Sequence, residues 1–211
     1  MASTKRTFLP AAGRDIFLPL YDPLTRLFGF AAIREELLAQ ADLKVQHRVL
    51  DVGCGTGTLA VLIKQRQPSA EMSGLDPDPK ALARAKTKAA RAGVTVAFDE
   101  GFADAMPYGN ASFDRVFSSL MFHHLPRDAK AGMLREVHRV LGPGGQFHLM
   151  DFTGSHGHGR LAQMLHPHQA LKDNAEDRVL ALIREAGFTD PKRVASRKTF
   201  FGPVAFYAAQ R

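Results

Sequence analysis

The sequence predicts an α/β fold: a Rossmann-like, doubly wound sheet, mostly parallel, with an antiparallel C-terminal hairpin strand. Three observations predict it. From Arg48 onward, short apolar runs alternate with stretches of helical periodicity, the pattern of a parallel sheet covered by helices on both faces. The first run, Arg48-Val49-Leu50-Asp51-Val52, passes directly into a turn of alternating glycines, Gly53-Cys54-Gly55-Thr56-Gly57. The second run, Met72-Ser73-Gly74-Leu75, ends in an acid, Asp76.

The elements follow in order. Residues 1–20 scatter apolar residues among prolines and glycines and read as an extended arm. Asp22-Pro23 suits a helix start, with the acid capping and proline in the first turn. Leu24, Leu27, Phe28, Ile33, Leu37 and Leu38 then fit one or two amphipathic helices over 21–41. Strands are expected at about 48–52, 71–75, 94–98, 113–118 and 145–151, and helices at about 57–66, 78–92, 127–141 and 174–186. Pro126 starts the third of these helices, Gly142-Pro143-Gly144-Gly145 ends it, and Gly187 ends the fourth. Two last runs, about 192–200 and 203–210, flank a Gly202-Pro203 turn and suit a hairpin. A chain of 211 residues accommodates one structural unit, divided here into an arm with lid helices (1–45) and the sheet domain (46–211).

Composition narrows the class. Hydrophobic residues make up 45% and charged residues 23%, ordinary values for a soluble globular protein. No apolar run approaches the roughly 18 residues of a membrane span. The basic start is not followed by an apolar segment, so no signal peptide is expected. The single cysteine, Cys54, excludes an internal disulfide and fits a reducing, cytoplasmic setting. Placed in the glycine turn, it reads as a small packing residue rather than a nucleophile.

The formal net charge is +7 and the pI about 9.8. Lys80, Arg84, Lys88 and Arg91 recur at helical spacing, and Lys192, Arg193, Arg197 and Lys198 form a second cluster. Such faces are usually just solvated; an anionic membrane surface is the peripheral partner they would otherwise suit. DNA is not expected, because residues 78–92 contain no aromatic side chain to stack on bases.

The glycine turn and the acid together describe a nucleoside pocket. A glycine lets a ligand approach the backbone closely, and an acid ending the next strand suits a ribose diol. The dinucleotide fingerprint would place its third glycine one position later, where Thr58 stands, and a phosphate-cradling loop would need a lysine after Gly57. Asp51, inside the leading strand, would repel a pyrophosphate and favour a cationic ligand such as an amino group or a sulfonium.

Asp51-Val52-Gly53-Cys54-Gly55-Thr56-Gly57 resembles motif I of the class I S-adenosylmethionine-dependent methyltransferases. The resemblance runs from about Tyr21 to the C-terminus and is strongest over 48–151. It implies S-adenosylmethionine as cofactor, held by Asp51, Gly53, Gly55, Thr56 and Asp76. Gly101-Phe102-Ala103-Asp104-Ala105-Met106-Pro107 is similar to the family segment lining the adenine pocket. Many relatives carry an acid where this chain has Phe102, so here Phe102 would pack on the ring and the backbone of Ala103 would bind its edge. Ser118 and Ser119, at the end of the fourth strand, would lie near the methionine part, and Tyr21, of a Tyr-Asp pair, would close over the cofactor. His123 and His124 occupy the loop where acceptor chemistry occurs in the family; one would take a proton from the acceptor or cap the helix begun by Pro126.

The implied activity is methyl transfer to a small molecule, with a phospholipid head group or a quinone precursor as narrower alternatives. A non-catalytic nucleoside-binding protein is the alternative of another class, and a nicotinamide dehydrogenase is disfavoured by Thr58. Enzymes that methylate amino groups of DNA carry an Asp/Asn-Pro-Pro-Tyr/Phe segment where this chain has Ser-Ser-Leu-Met. His156, His158, His166 and His168 could bind a metal only with help that the sequence does not supply, and they read as a loop flanking the acceptor pocket. Oligomeric state is not legible.

Overall fold

The computed structural model describes residues 29–153 and 176–211. In chain order these form α1 (Phe30–Ala39), β1 (Arg48–Val52), α2 (Thr58–Arg66), β2 (Glu71–Asp76), α3 (Pro79–Arg91), β3 (Ala97–Glu100), β4 (Phe113–Ser119), a 3-10 turn (Phe122–His124), α4 (Arg127–Val140), β5 (Leu141–Phe152), α5 (Glu176–Glu185), β6 (Thr189–Thr199) and β7 (Gly202–Gln210). The strands form one sheet in the order β3-β2-β1-β4-β5-β7-β6. The first five are mutually parallel, β7 runs antiparallel to β5, and β6 antiparallel to β7. This is the expected mostly parallel sheet with its antiparallel C-terminal hairpin. The order reverses direction between β1 and β4, the switch point at which open α/β sheets bind ligands beyond their carboxyl ends.

Alternation along the strands divides the core. Leu50, Val52, Val116, Phe147 and Leu149 pack with Met133 and Val137 of α4 and Val179 and Ile183 of α5. Val49, Phe117, Met150 and Phe206 pack with Phe30 and Leu37 of α1 and Leu59 and Ile63 of α2. Asp51 has the parity of Val49, so its side chain projects toward the layer built by α1 and α2.

The element boundaries depart from expectation in three places, one being β6, which begins at Thr189 rather than near 192. Strand β3 begins at Ala97, not near 94, because the end of α3 consumes the intervening residues: Ala92 N donates to Lys88 O and Val94 N to Ala89 O, around Gly93 at φ +66°. Strand β5 begins at Leu141, directly after α4. The Gly142-Pro143-Gly144-Gly145 run lies inside the strand as an irregularity between the Phe113–Leu141 and Arg115–Gln146 pairings, with Gly144 at φ +74°. Of the helices expected over 21–41, α1 is described; positions 21–28, including the Asp22-Pro23 start, and the histidine-rich 156–168 stretch lie outside the described residues.

The charge clusters have local explanations. On α3, Asp78 caps the helix by accepting from Lys80 N (2.8 Å), while Lys80, Arg84, Lys86 and Arg91 face solvent. Lys192, Arg193, Arg197 and Lys198 lie on β6, the sheet's edge, where exposed cations discourage pairing with another strand. No helix among the described residues is long and apolar enough to cross a membrane.

His148, on β5, is buried and stacks on Phe117 with ring centroids 5.3 Å apart. Burial, reinforced by the nearby Arg115, lowers its pKa to about 4. The folded value lies below the unfolded one, so the stabilisation is complete above about 6.5 and is lost as pH falls toward 4, to an upper limit of about 3 kcal/mol. Asp51 titrates with the opposite sign in part of this window, so the contribution must be read as a difference between variants. Wild type should lose more stability between pH 7 and 5 than His148→Phe, which keeps a ring against Phe117; parallel urea curves at the two pH values check this.

Candidate active site

Three acids stand at the carboxyl ends of parallel strands: Asp51 on β1, Asp76 on the adjacent β2, and Asp151 on β5, which β4 separates from β1. All three are buried, and each is compensated differently.

Asp76 ties the first two loops together. Its Oδ2 accepts from Gly55 N (2.8 Å) and its Oδ1 from Asp78 N (2.9 Å). Burial raises its pKa despite these two bonds. The second lone pair on each oxygen is geometrically able to accept from a ligand diol. The turn it clamps is held from beneath, since Gly53 N and Cys54 N both donate to Leu75 O (2.8 and 3.0 Å). Gly53, Gly55 and Gly57 all adopt positive φ (69°, 52° and 74°), a conformation that disfavours other residues. A Cβ on Gly53 would lie 2.3 Å from Met121 Cγ, and one on Gly57 would lie 2.8 Å from Ala85 Cβ. Cys54 is buried, and a Cβ on Gly74 would come within 2.9 Å of its Sγ, which fits a packing role. Thr56 is buried and engages Lys88 Nζ through its hydroxyl (3.0 Å).

Asp51 is the least satisfied of the three. Its Oδ1 has no hydrogen-bond partner among the described residues. Burial pushes its carboxyl up to about 8; the guanidinium of Arg34, itself buried on α1, opposes this, and Asp76 adds to it. Ser118 Oγ is likewise buried without a partner, whereas Ser119 is partly exposed.

The turn after β3 lies beside Asp76. Gly101 N donates to Asp76 O (3.2 Å), and Ala105 N closes a turn onto Phe102 O (3.1 Å). Phe102 and Ala103 are both half-buried.

Past β4, Leu120 takes φ +57°, a strained conformation for a large side chain, with its N–H bonded to Met150 O (2.8 Å). This redirects the chain so that Met121 covers Gly53 and the 3-10 turn brings His123 onto Asp151. Asp151 Oδ2 accepts from His123 N (2.9 Å), and Asp151 Oδ1 lies 2.5 Å from His123 Nδ1. Phe152 N also donates to Oδ1 (2.6 Å). Burial alone would raise the Asp151 carboxyl, but the His123 ring and these bonds outweigh it and hold it below the ordinary range. With Asp151 ionised, Nδ1 is the donor in this contact. His123 is buried and His124 half-buried, their ring centroids 4.0 Å apart.

Residues 49–145 match the family model for the methyltransferase domain. Over 137 residues the chain is 39% identical to the demethylmenaquinone methyltransferase of Thermus thermophilus and equally to that of Deinococcus radiodurans, 64% of this chain and 61% and 56% of those proteins. The chain therefore spans less than two thirds of the length of these relatives. The crystal structure of a SAM-dependent methyltransferase from Aquifex aeolicus shares the fold, with a TM-score of 0.72 at 19% identity over 92% of this chain and 96% of that one. Over residues 49–145 the chain thus resembles a methyltransferase domain, and it shares the fold of the solved S-adenosylmethionine-dependent enzyme.

The cofactor of that methyltransferase family, S-adenosylmethionine, fits the residues present. Its methionine end carries an ammonium and a sulfonium, the charges that the orphaned Asp51 Oδ1 would receive, and its ribose is a diol. Of the residues expected to hold it, Asp51, Gly53, Gly55, Asp76, Phe102 and Ala103 surround the carboxyl ends of β1–β3, while Ser118 and Ser119 end β4. The Thr56 side chain is instead engaged with Lys88, which leaves its backbone as the contacting group. Tyr21 lies outside the described residues. Two charged residues escaped the sequence reading. Asp151 was signalled only as an acid closing an apolar strand, the same sign carried by Asp51 and Asp76, and Arg34 only as a charge on the apolar face of α1. No group of metal-ligating side chains occurs among the described residues.

Two predictions arise from this site. Asp76→Ala should orphan two backbone N–H groups and remove the diol acceptor. Binding of S-adenosylhomocysteine should weaken at least about tenfold, with about 1–3 kcal/mol lost from stability, by calorimetry and chemical denaturation. Asp51 should be mostly protonated at pH 7 in the free protein and should ionise beside a bound cation. Cofactor binding should therefore release most of a proton below about pH 8, seen as a binding enthalpy that tracks the buffer's ionisation enthalpy and ceases to do so in Asp51→Asn.

Proposed function

We propose that this chain transfers a methyl group from S-adenosylmethionine to a small apolar acceptor with one ionisable hydroxyl, and that the acceptor is a reduced quinone precursor. The carrying observation is the His123–Asp151 contact at 2.5 Å beside the glycine turn. The resemblance to two demethylmenaquinone methyltransferases supports the same acceptor class. When bound, the cofactor supplies an activated methyl group on a positive sulfur.

The chain's own part is alignment and proton handling. A cradle that fixes donor and acceptor in line can contribute about 7–11 kcal/mol. Asp151 fixes the tautomer and orientation of His123, so that Nε2 can take the acceptor's hydroxyl proton and leave a more nucleophilic anion. Burial of the pair excludes water from that proton. The protein works in the cytoplasm on an apolar acceptor, with peripheral contact to an anionic membrane.

Labelled-methyl transfer to a soluble naphthoquinol and to an ethanolamine phospholipid, at saturating cofactor, tests this. The naphthoquinol should be methylated. His123→Ala and Asp151→Asn should each lower that rate by about 10²–10⁴ without weakening cofactor binding, and His124→Ala should have a smaller effect. Full activity in both His123→Ala and Asp151→Asn would remove the imidazole from the mechanism. Transfer to the phospholipid alone would assign the head-group alternative, and cofactor binding without transfer to any acceptor the non-catalytic one.

A further inference from the structure

The turn between β6 and β7 carries a large apolar side chain that stays mostly exposed. Phe200 is 67% exposed, at the tip of a hairpin whose backbone is otherwise well secured. Thr199 Oγ1 donates to Gly202 O (2.6 Å) and accepts from Phe201 N (3.2 Å). The tip therefore holds an aromatic ring in water on a fixed support.

Its place in the sheet matters. Because β7 is antiparallel to β5, with Val204 opposite Phe152 and Thr153 N bonded to Pro203 O (2.9 Å), the tip lies at the carboxyl end of the parallel strands. That is the end at which Asp51, Asp76 and the His123–Asp151 pair stand. Aromatic rings form a continuous run between the two. Phe200 meets Phe201 edge-on (5.4 Å), Phe201 meets Phe30 (6.2 Å), Phe30 meets Phe152 (6.3 Å) and Phe152 meets His123 edge-on (5.3 Å).

Charge selects the occupant. On β6, Lys192 pairs with Asp190 at the far end (3.0 Å), and Arg197 is held by Glu36 of α1 (2.6 Å), which braces the hairpin against the domain. Lys198, adjacent to the tip, and Arg193 are exposed as well. Edge protection accounts for cations along β6, but it gives no reason for a phenylalanine at the tip. An exposed aromatic ring framed by cations is complementary to the headgroup boundary of an anionic bilayer.

We propose that the β6–β7 tip, Phe200 with Lys198, is a membrane-docking element that sets the mouth of the active site against an anionic lipid surface. The docking takes its purpose from the acceptor class proposed above, while the element itself stands on the exposure and charge of the tip.

Vesicle flotation with the full chain, using phosphatidylcholine with and without phosphatidylglycerol, tests the docking. Wild type should bind the anionic vesicles, and added salt should release it. Phe200→Ser should weaken this binding by about tenfold or more, and Lys198→Glu by at least about fivefold. Circular dichroism checks that both variants fold, and turnover of a soluble naphthoquinol should be unchanged in both. Equal vesicle binding by wild type and both variants would overturn the proposal. So would binding indifferent to vesicle charge, or Phe200-dependent self-association without vesicle binding, which would assign the tip to a second copy of the chain. Vesicle binding that the two variants lose, together with no turnover of naphthoquinol by wild type, would support the docking element and retire only the acceptor reading.

Discussion

The carboxylate of Asp76 is the junction on which the cofactor end of the molecule depends. One oxygen holds Gly55 N and the other Asp78 N, so a single side chain fixes the loop after β1, the start of α3 and the spacing between them. The glycines make this possible, because three positive-φ residues within five positions allow the backbone to fold down onto an acid. The result is a loop whose shape is set before any ligand arrives, and preorganisation of this kind lowers the ordering cost of binding.

The histidine-bearing end of the site depends on a second junction, built from strain. Leu120 accepts a left-handed conformation worth about 1–3 kcal/mol so that the chain leaving β4 can turn across the sheet. The parallel register of β4 and β5, Ser118 with Leu149 and Ser119 with Met150, then brings the His123 turn over the last residues of β5. There Asp151 accepts from two backbone N–H groups and from the imidazole. The two junctions meet where Met121 covers Gly53, so the loop bearing the histidines is packed directly onto the loop bearing the glycines.

Much of this was legible in the sequence, and the reasons for the rest are specific. The alternation of strands and helices, the glycine turn and Asp76 carried the fold and the cofactor class, because backbone conformation and hydrophobic periodicity are local properties. The His123-His124 pair was visible, but which of the two matters was not, since that depends on a contact across 28 positions of sequence. Asp151 and Arg34 were hidden for the same reason: an acid at a strand end and an arginine in an apolar helix reveal their meaning only through the partner the fold supplies. The start of β3 shifted because a helix C-cap consumed Val94, and Gly142-Pro143-Gly144-Gly145 became an irregular stretch of strand because tertiary pairing overrode its turn chemistry.

Three buried acids at the carboxyl ends of parallel strands pose the same kind of electrostatic problem and receive three answers. Asp76 is compensated by backbone N–H groups, which cannot move away or titrate. Asp151 is compensated by an imidazole together with two backbone N–H groups. Asp51 has only the field of Arg34 and an oxygen without a partner, and its raised pKa records the shortfall. The quality of compensation therefore sorts the acids by surroundings: the best-fixed one holds a loop, the second is locked to an imidazole, and the third keeps an oxygen without a partner among the described residues.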